Sequence, residues 1–228
     1  MKIAALTVTH DRPEFIPWLL WVFDSQSHDD KHLIIVDSSE EPLDIDRDDV
    51  TVFHTKNNNV AHKRNVALSL AGESNADAVA WFDDDDWSHP ARLSILASRL
   101  NDDGKLSWAG SQWGWFVDVQ TRATKRFCNR TQPTFNSSLY RYESVEGVLF
   151  DESIERGSDI DWMERISDKP WAGGYDPLIF WLCHDRNMGN RAAAHHFNRG
   201  FDDIIDIVGI RELTRTRSQL TALRNRLY

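Results

Sequence analysis

The chain has 228 residues, 41% of them hydrophobic and 27% charged, a balance ordinary for a soluble globular unit with its own core. Its formal net charge of −10 argues against broad binding to phosphate backbones, which depends on clustered Lys and Arg. Cys128 and Cys183 are too few for a disulfide framework or a cysteine-based zinc site, and with no run of about eighteen apolar residues and no cleavable leader, a cytoplasmic chain without a membrane span is expected.

Residues 2–9 (KIAALTVT) form an apolar, β-branched run that predicts a first strand. It breaks at His10-Asp11-Arg12-Pro13, where Pro13 suits the first turn of a helix and Asp11 its cap. Phe15, Ile16, Leu19, Leu20 and Phe23 then recur at helical spacing. Residues 32–36 (HLIIV) predict a second strand ending in Asp37-Ser38-Ser39, and residues 50–54 a third. Asn57-Asn58-Asn59 is a turn before a helix over residues 60–70 that carries Lys63, Arg64 and Asn65. A fourth buried strand, residues 76–82, empties into Asp83-Asp84-Asp85-Asp86, and Pro90 opens a further helix to about Leu100. Like charges packed this closely stay ionised together only when solvated or facing a cation. At the C-terminal end of a strand in an open α/β sheet, a divalent metal is the natural partner, with a solvated acidic turn as the plain alternative.

The second half changes character. Residues 106–119 hold Trp108, Trp113, Trp115 and Phe116, interrupted by Gly110 and Gly114, and a polar turn at 121–125 predicts a hairpin across 112–128. Residues 146–150 are expected to form another strand, followed by Asp151-Glu152. Ser158 opens an amphipathic helix to about Ile166 with Asp159 and Asp161 in its first turn. Residues 177–183 are strand-like and end at His184, and from Phe201 onward the chain reads as one or two helices with Arg211, Arg215, Arg217, Arg224 and Arg226. Strands and helices at these spacings predict an α/β fold with a mostly parallel, doubly wound central sheet and helices on both faces. Three strands end in polar residues on one edge of that sheet, where a nucleotide is expected, yet neither a GxGxxG nor a GxxxxGK[ST] element is present.

Several stretches together resemble the GT-A glycosyltransferases of the large family 2 type. Residues 8–15 (VTHDRPEF) are similar to the family's PTYNRPEFL opening, and Gln26 to the end of its first helix. Residues 34–39 (IIVDSS) resemble its IVVDDGS strand end, and residues 59–68, with Arg64-Asn65, its N-x-G-x-x-x-A-R-N segment. Residues 82–90 (FDDDDWSHP) resemble FLDSDDWLHP, the DxD motif, and Phe150-Asp151-Glu152 with Ser158-Asp159-Ile160-Asp161-Trp162 resemble the later FDE…ED-x-D-L segment. The resemblance spans roughly residues 2–190. It implies a single domain over 1–228, with a nucleotide-sugar-binding half (1–105), an acceptor-binding half (106–190) and a C-terminal helical segment (191–228) able to serve a homodimer.

The roles it implies are specific. Asp83 lies near the ribose and is a metal candidate together with Asp85 and Asp86, Asp85 being the principal Mn²⁺ or Mg²⁺ ligand and the register within the run being open by one residue. His184, at a strand end, completes the metal or pyrophosphate site, with His195 and His196 as weaker candidates. Thr9, His10, Arg12, Asp37 and Arg64 bind the nucleotide. His10 stands in place of a base-stacking Tyr, and Ser38 replaces the second Asp of VDDGS, so a UDP-sugar is favoured but less firmly than usual. Asp159 is the general base, with Asp161 as runner-up, although Ser158 replaces the family's preceding Glu. Trp108, Trp113, Trp115 and Trp162 belong to the acceptor half, where core packing competes with stacking on a sugar. The implied activity is metal-dependent, inverting transfer of a sugar from a nucleotide-diphosphate donor to a hydroxyl on a glycan or small acceptor. The alternatives are transfer to a modified nucleic-acid base, which net charge disfavours, an idle nucleotide-sugar-binding module, and a nucleotidyltransferase, which would carry a Gly-rich loop.

Overall fold

The strand β1 (Ile3–Thr9) lies at the centre of the molecule, paired in parallel with β2 (Lys31–Asp37) on one side and β4 (Ala78–Trp81) on the other. In a computed structural model describing residues 1–121, 123–174, 178–184, 199–200 and 210–227, these strands belong to a seven-stranded sheet. Beyond β2 lies β3 (Val50–His54), again parallel. Beyond β4 come β9 (Leu139–Arg141), β6 (Trp108–Ala109) and β10 (Trp171–Ala172), and β9 runs antiparallel to both of its neighbours.

Alternation along β1 explains the layers. Ile3 and Ala5 face one side, with Phe15 and with Trp18 and Leu19 of α1 (Ile16–Asp24), Leu93 and Leu96 of α3 (Arg92–Asp102), and Leu220 and Leu223 of α6 (Ile210–Leu227). Ala4 and Leu6 face the other, with Ala67 and Leu68 of α2 (Val60–Glu73) and Trp162 and Met163 of α5 (Ser158–Arg165). A strand buried on both faces reads as a continuous apolar run, which is why β1 and β2 were legible in sequence. Among the described residues no helix is long and apolar enough to cross a membrane.

A second, five-stranded sheet has the order β12 (Arg199–Gly200), β8 (Ala123–Cys128), β7 (Trp113–Asp118), β11 (Ile179–Cys183), β5 (Trp87–Ser88). The β7–β8 hairpin falls where the polar turn predicts it. Gly114 permits a close approach, because a Cβ there would sit 2.2 Å from the Trp181 ring. Since β4 ends at Trp81 in one sheet and β5 begins at Trp87 in the other, the acidic run is the crossover between the two sheets.

Two local expectations differ from the structure. Asp11 does not cap the first helix: it adopts φ 47°, accepts from the Glu40 N–H at 2.8 Å, and leaves the chain to enter α1 through a 3-10 turn at Pro13–Phe15. Asn59, by contrast, does cap α2, its side chain accepting from the His62 N–H at 3.0 Å. Residues 146–150 are not a strand. A short α4 (Tyr142–Val145) ends at Gly147 with φ +74°, and the following loop is held by a side chain in place of a ladder. Asn65 accepts from the Phe150 N–H at 2.7 Å and donates to the Phe150 carbonyl at 3.0 Å. Asn65→Ala leaves both groups without those partners, and a loss of about 1–3 kcal/mol is expected. Thermal or urea unfolding should show it, and an unchanged midpoint would mean the loop is held otherwise.

Candidate active site

Each carboxylate of the acidic crossover has its own partners. Asp83 accepts from Asn136 Nδ2 at 2.9 Å. Asp84 accepts from Thr9 Oγ1 and from Arg12 Nη1, both at 2.7 Å. Asp85 Oδ2 accepts from Arg12 Nη2 at 2.5 Å and lies 3.1 Å from His184 Nε2. Asp86 is tied inward: Oδ1 accepts from the Leu182 N–H at 3.0 Å, Oδ2 from Asn136 at 3.0 Å, and its carbonyl from Trp18 Nε1 at 2.9 Å. All three links of Asp86 join the crossover to other elements.

This division separates the four groups electrostatically. Burial pushes Asp83 up despite the opposing charge of Arg64, pushes Asp84 up to about 7 with the help of the Asp85 charge, and pushes Asp86 well up. Burial acts on Asp85 too, but the His184 hydrogen bond and the Arg12 charge outweigh it and hold that carboxyl down at about 2. Of the four, Asp85 is the one poised to face a cation as a full anion.

The acids floor a cleft of about 620 Å³ that also receives Thr9, His10 and Arg12 from the end of β1, and Asn58, Lys63 and Arg64 from the start of α2. Arg12 stacks over Phe15, 4.3 Å from the ring centroid, and the His184 ring packs on the same Phe15 at 4.7 Å. His10 is held through Nδ1, 2.9 Å from the Ser38 carbonyl. Lys63, only 2% exposed, donates to the Thr9 carbonyl at 2.9 Å, to Ser38 Oγ at 2.9 Å and to Asn58 Oδ1 at 3.2 Å.

A second cavity, about 550 Å³, adjoins the first and shares Arg64, Asp83 and Trp181 with it. Asp159 lines it. Asp161 lies along neither cavity and is ion-paired with Arg165 one turn on, at 2.6 Å. Arg64 stands between the two spaces, donating to Ser158 Oγ at 3.0 Å with its guanidinium 4.8 Å from the Phe135 ring centroid. Trp181 and Asn136 form the partition: the indole N–H donates to Asn136 Oδ1 at 3.1 Å, while Asn136 Nδ2 holds Asp83 and Asp86.

Thr9, His10, Arg12, Arg64, Asp83, Asp85 and Asp86 thus surround one cleft, with His184 against Asp85. Asp37 does not join them. It is fully buried and its oxygens accept from Ser39 N, Ser39 Oγ and Leu43 N, so it builds the strand end instead of meeting a base. Trp108, Trp115 and Trp162 are core, and Trp113 carries the Arg126 guanidinium on its face. His195 and His196 lie outside the described residues. The sequence did not single out Asn136, or Trp181 within its apolar strand, or give Lys63 a role apart from its helix.

The donors present suit a hard divalent cation. Adjacent ligands of an octahedral ion at about 2.1 Å lie roughly 3 Å apart, as a carboxylate oxygen and an imidazole nitrogen do at Asp85 and His184. No group of three or more acidic, His or Cys side chains forms a cage among the described residues, so any ion here would take its other ligands from phosphate or water.

Sheet order and the acidic crossover between the two sheets are those of a GT-A fold. The model of the family described as glycosyl transferase family 2 matches residues 5–151, more than half of the chain, and the chain belongs to that family. No curated protein matches the sequence. The fold is similar to that of S. aureus TarS 1-349 in complex with UDP, at 15% identity and TM-score 0.63, over 80% of this chain and 61% of that one. The UDP-GlcNAc complex of the same protein gives TM-score 0.66 at 15% identity, over 82% and 60%. The mannosyltransferase PcManGT from Pyrobaculum calidifontis, in complex with GDP-Man and Mn2+, gives TM-score 0.61 at 13% identity, over 99% and 73%. The chain therefore spans about three fifths of the TarS 1-349 structures.

Burial pushes the Lys63 ammonium down to about 8 against the raising effect of Asp84, Asp37 and Asp11. The unfolded chain holds that proton up to about 10.5. Between these values the unfolded state binds more protons, so this group's contribution to stability rises with pH across the window, and below it the buried charge works against folding. Lys63→Met removes the titration. In EDTA, wild type should gain stability relative to the variant as pH rises through the window, and a pH-independent difference in melting temperature would contradict this.

Proposed function

We propose that the chain transfers a sugar from a nucleotide-diphosphate donor to a hydroxyl acceptor with inversion, the donor lying over the acidic crossover and the acceptor in the adjoining cavity. The observation that carries the proposal is the sharing of Asp83 and Trp181 by two clefts, with Asp85 held ionised in one and Asp159 placed in the other. TarS bound to UDP-GlcNAc and PcManGT bound to GDP-Man and Mn2+ support a nucleotide sugar and a metal for this fold.

Asp85 and His184 would hold the divalent cation, which supplies charge stabilisation to the departing diphosphate. Arg12, already in contact with Asp84 and Asp85, adds a guanidinium on the same side of the cleft. Thr9, His10 and Asn58 line the end from which the nucleoside is oriented, and Lys63 braces that wall from beneath. Asp159 takes the acceptor O–H proton as the oxygen forms its bond to the anomeric carbon. The anomeric C–O bond breaks on the opposite side, and its electron pair leaves with the diphosphate. Asp159 is favoured over Asp161 because Asp161 is engaged by Arg165 away from the cavity. Asp83, bonded to Asn136 and lining both clefts, suits a contact to the ribose or transferred sugar better than to the ion, and Asp86 serves as an internal brace.

The experiment is hydrolysis of a panel of UDP-, GDP-, ADP- and CDP-sugars with Mn²⁺, Mg²⁺ or EDTA, water serving as acceptor. Metal-dependent turnover of one donor is expected, and it should disappear in Asp85→Ala. In Asp159→Asn, kcat should fall about 10²–10⁴-fold with donor affinity retained, as for loss of a general base. Turnover of no donor with any metal would sink the proposal, and full activity of Asp159→Asn would move the base elsewhere.

A further inference from the structure

The second cavity carries information about the acceptor. One wall is aromatic: Phe116 and Phe127, half-buried on β7 and β8, meet the Trp181 ring at 5.1 Å and 5.4 Å, and each other edge-on at 5.8 Å. The facing rim is built of amides. Asn129 Oδ1 accepts from the Thr131 N–H at 3.1 Å and hydroxyl at 2.8 Å, which orients its NH₂ away from the loop, with no partner for it among the described residues. Gln132, also half-buried in the lining, has no side-chain partner among the described residues.

The titratable groups of this lining are two acids, Asp159 and the Asp83 that burial pushes toward its protonated form, and one guanidinium, Arg64. Arg64 donates to Ser158 through Nη1 and lies over the Phe135 ring, while its buried Nε has no hydrogen-bond partner among the described residues. A phosphate-bearing acceptor is favoured by a surplus of positive charge, and this lining sets two acidic side chains against a single guanidinium. Lys125 shares a strand face with Phe127, but it is solvent-exposed and outside the lining. A sugar ring has the opposite requirements: a C–H face to lay on an aromatic wall, and hydroxyls that donate and accept with side-chain amides.

We infer that the acceptor moiety of this chain is a neutral carbohydrate ring, packed against Phe127 and Trp181 and hydrogen-bonded by Asn129 and Gln132, with one hydroxyl toward Asp159. This rests on the two-cleft transferase reading and narrows its acceptor, setting aside phosphate-bearing acceptors, nucleic acid among them.

The test uses the full chain with Mn²⁺ and saturating nucleoside diphosphate. Binding of N-acetylchitotriose, maltotriose and mannotriose is measured by tryptophan fluorescence and saturation-transfer NMR, beside glycerol phosphate and a short single-stranded DNA. At least one trisaccharide is expected to bind, about tenfold more weakly in Phe127→Ala, as the loss of one aromatic face implies. Gln132→Ala should weaken it too, and keeps the test valid if Phe127→Ala fails to fold. Neither anionic probe should compete. Tighter binding of DNA or glycerol phosphate, binding of no trisaccharide, or trisaccharide binding indifferent to both substitutions would overturn the inference. Donor hydrolysis by the unaltered protein separates the two failures: if it persists without trisaccharide binding, the acceptor class is wrong and the transferase reading stands.

Discussion

The molecule is built around an electrostatic difficulty, four successive carboxylates carried from one sheet to another through the interior. At an effective dielectric of about 20, two unit charges 4 Å apart repel by roughly 4 kcal/mol, so four full anions in this turn would overwhelm the stability of an ordinary domain. The structure answers by giving the groups different states. Asp83, Asp84 and Asp86 are pushed toward the protonated form, and the negative charge is concentrated on Asp85. Burial raises the three, while Arg12 and His184 hold Asp85 down. The crossover itself is tied from across the chain, by Arg12 beyond β1, Trp18 of α1, Asn136 ahead of β9, and Leu182 and His184 from β11 and its end. A crossover held from so many directions fixes the relative position of the two sheets, and hence of the two clefts.

Arg12 has a double part in that answer. Its guanidinium spans Asp84 and Asp85, with Phe15 beneath it, so it supplies in the protein the positive charge that the turn requires. Burial works against the charged guanidinium, but the Asp85 and Asp84 carboxylates more than compensate and raise Arg12 above its ordinary value. Arg12 thus lies between two carboxyls of the floor, with the His184 imidazole 3.1 Å from the second.

Much of this was legible in the sequence, for physical reasons. Strands buried on both faces announce themselves as unbroken apolar runs, and polar residues directly after such runs mark the binding edge, so Thr9, Arg12, Asp83 and Asp85 could be placed together without coordinates. What escaped depends on contacts far apart in the chain. Asn136 reaches Asp83 across 53 positions and Trp181 across 45, and nothing local to Thr134-Phe135-Asn136 marks it. Asp37 misled because an acid at a strand end faces either the ligand or its own turn, and only the Ser39 and Leu43 donors decide which. The false strand at 146–150 has a similar origin. An apolar pattern shows that backbone will be buried, but not that Asn65 will satisfy it in place of a neighbouring strand.

The partition joins the two clefts through a single side chain. Asn136 is an amide with two ends in use, its NH₂ shared by Asp83 and Asp86 on the donor side and its oxygen receiving the Trp181 indole on the acceptor side. The indole ring in turn backs Phe116 and Phe127, and the room it occupies exists because position 114 is glycine. The acids and the aromatic wall are therefore joined by one short chain of contacts. Because Asn136 can orient its NH₂ toward the acids only while its oxygen faces the indole, the position of the acids and that of the wall are set by the same rotamer.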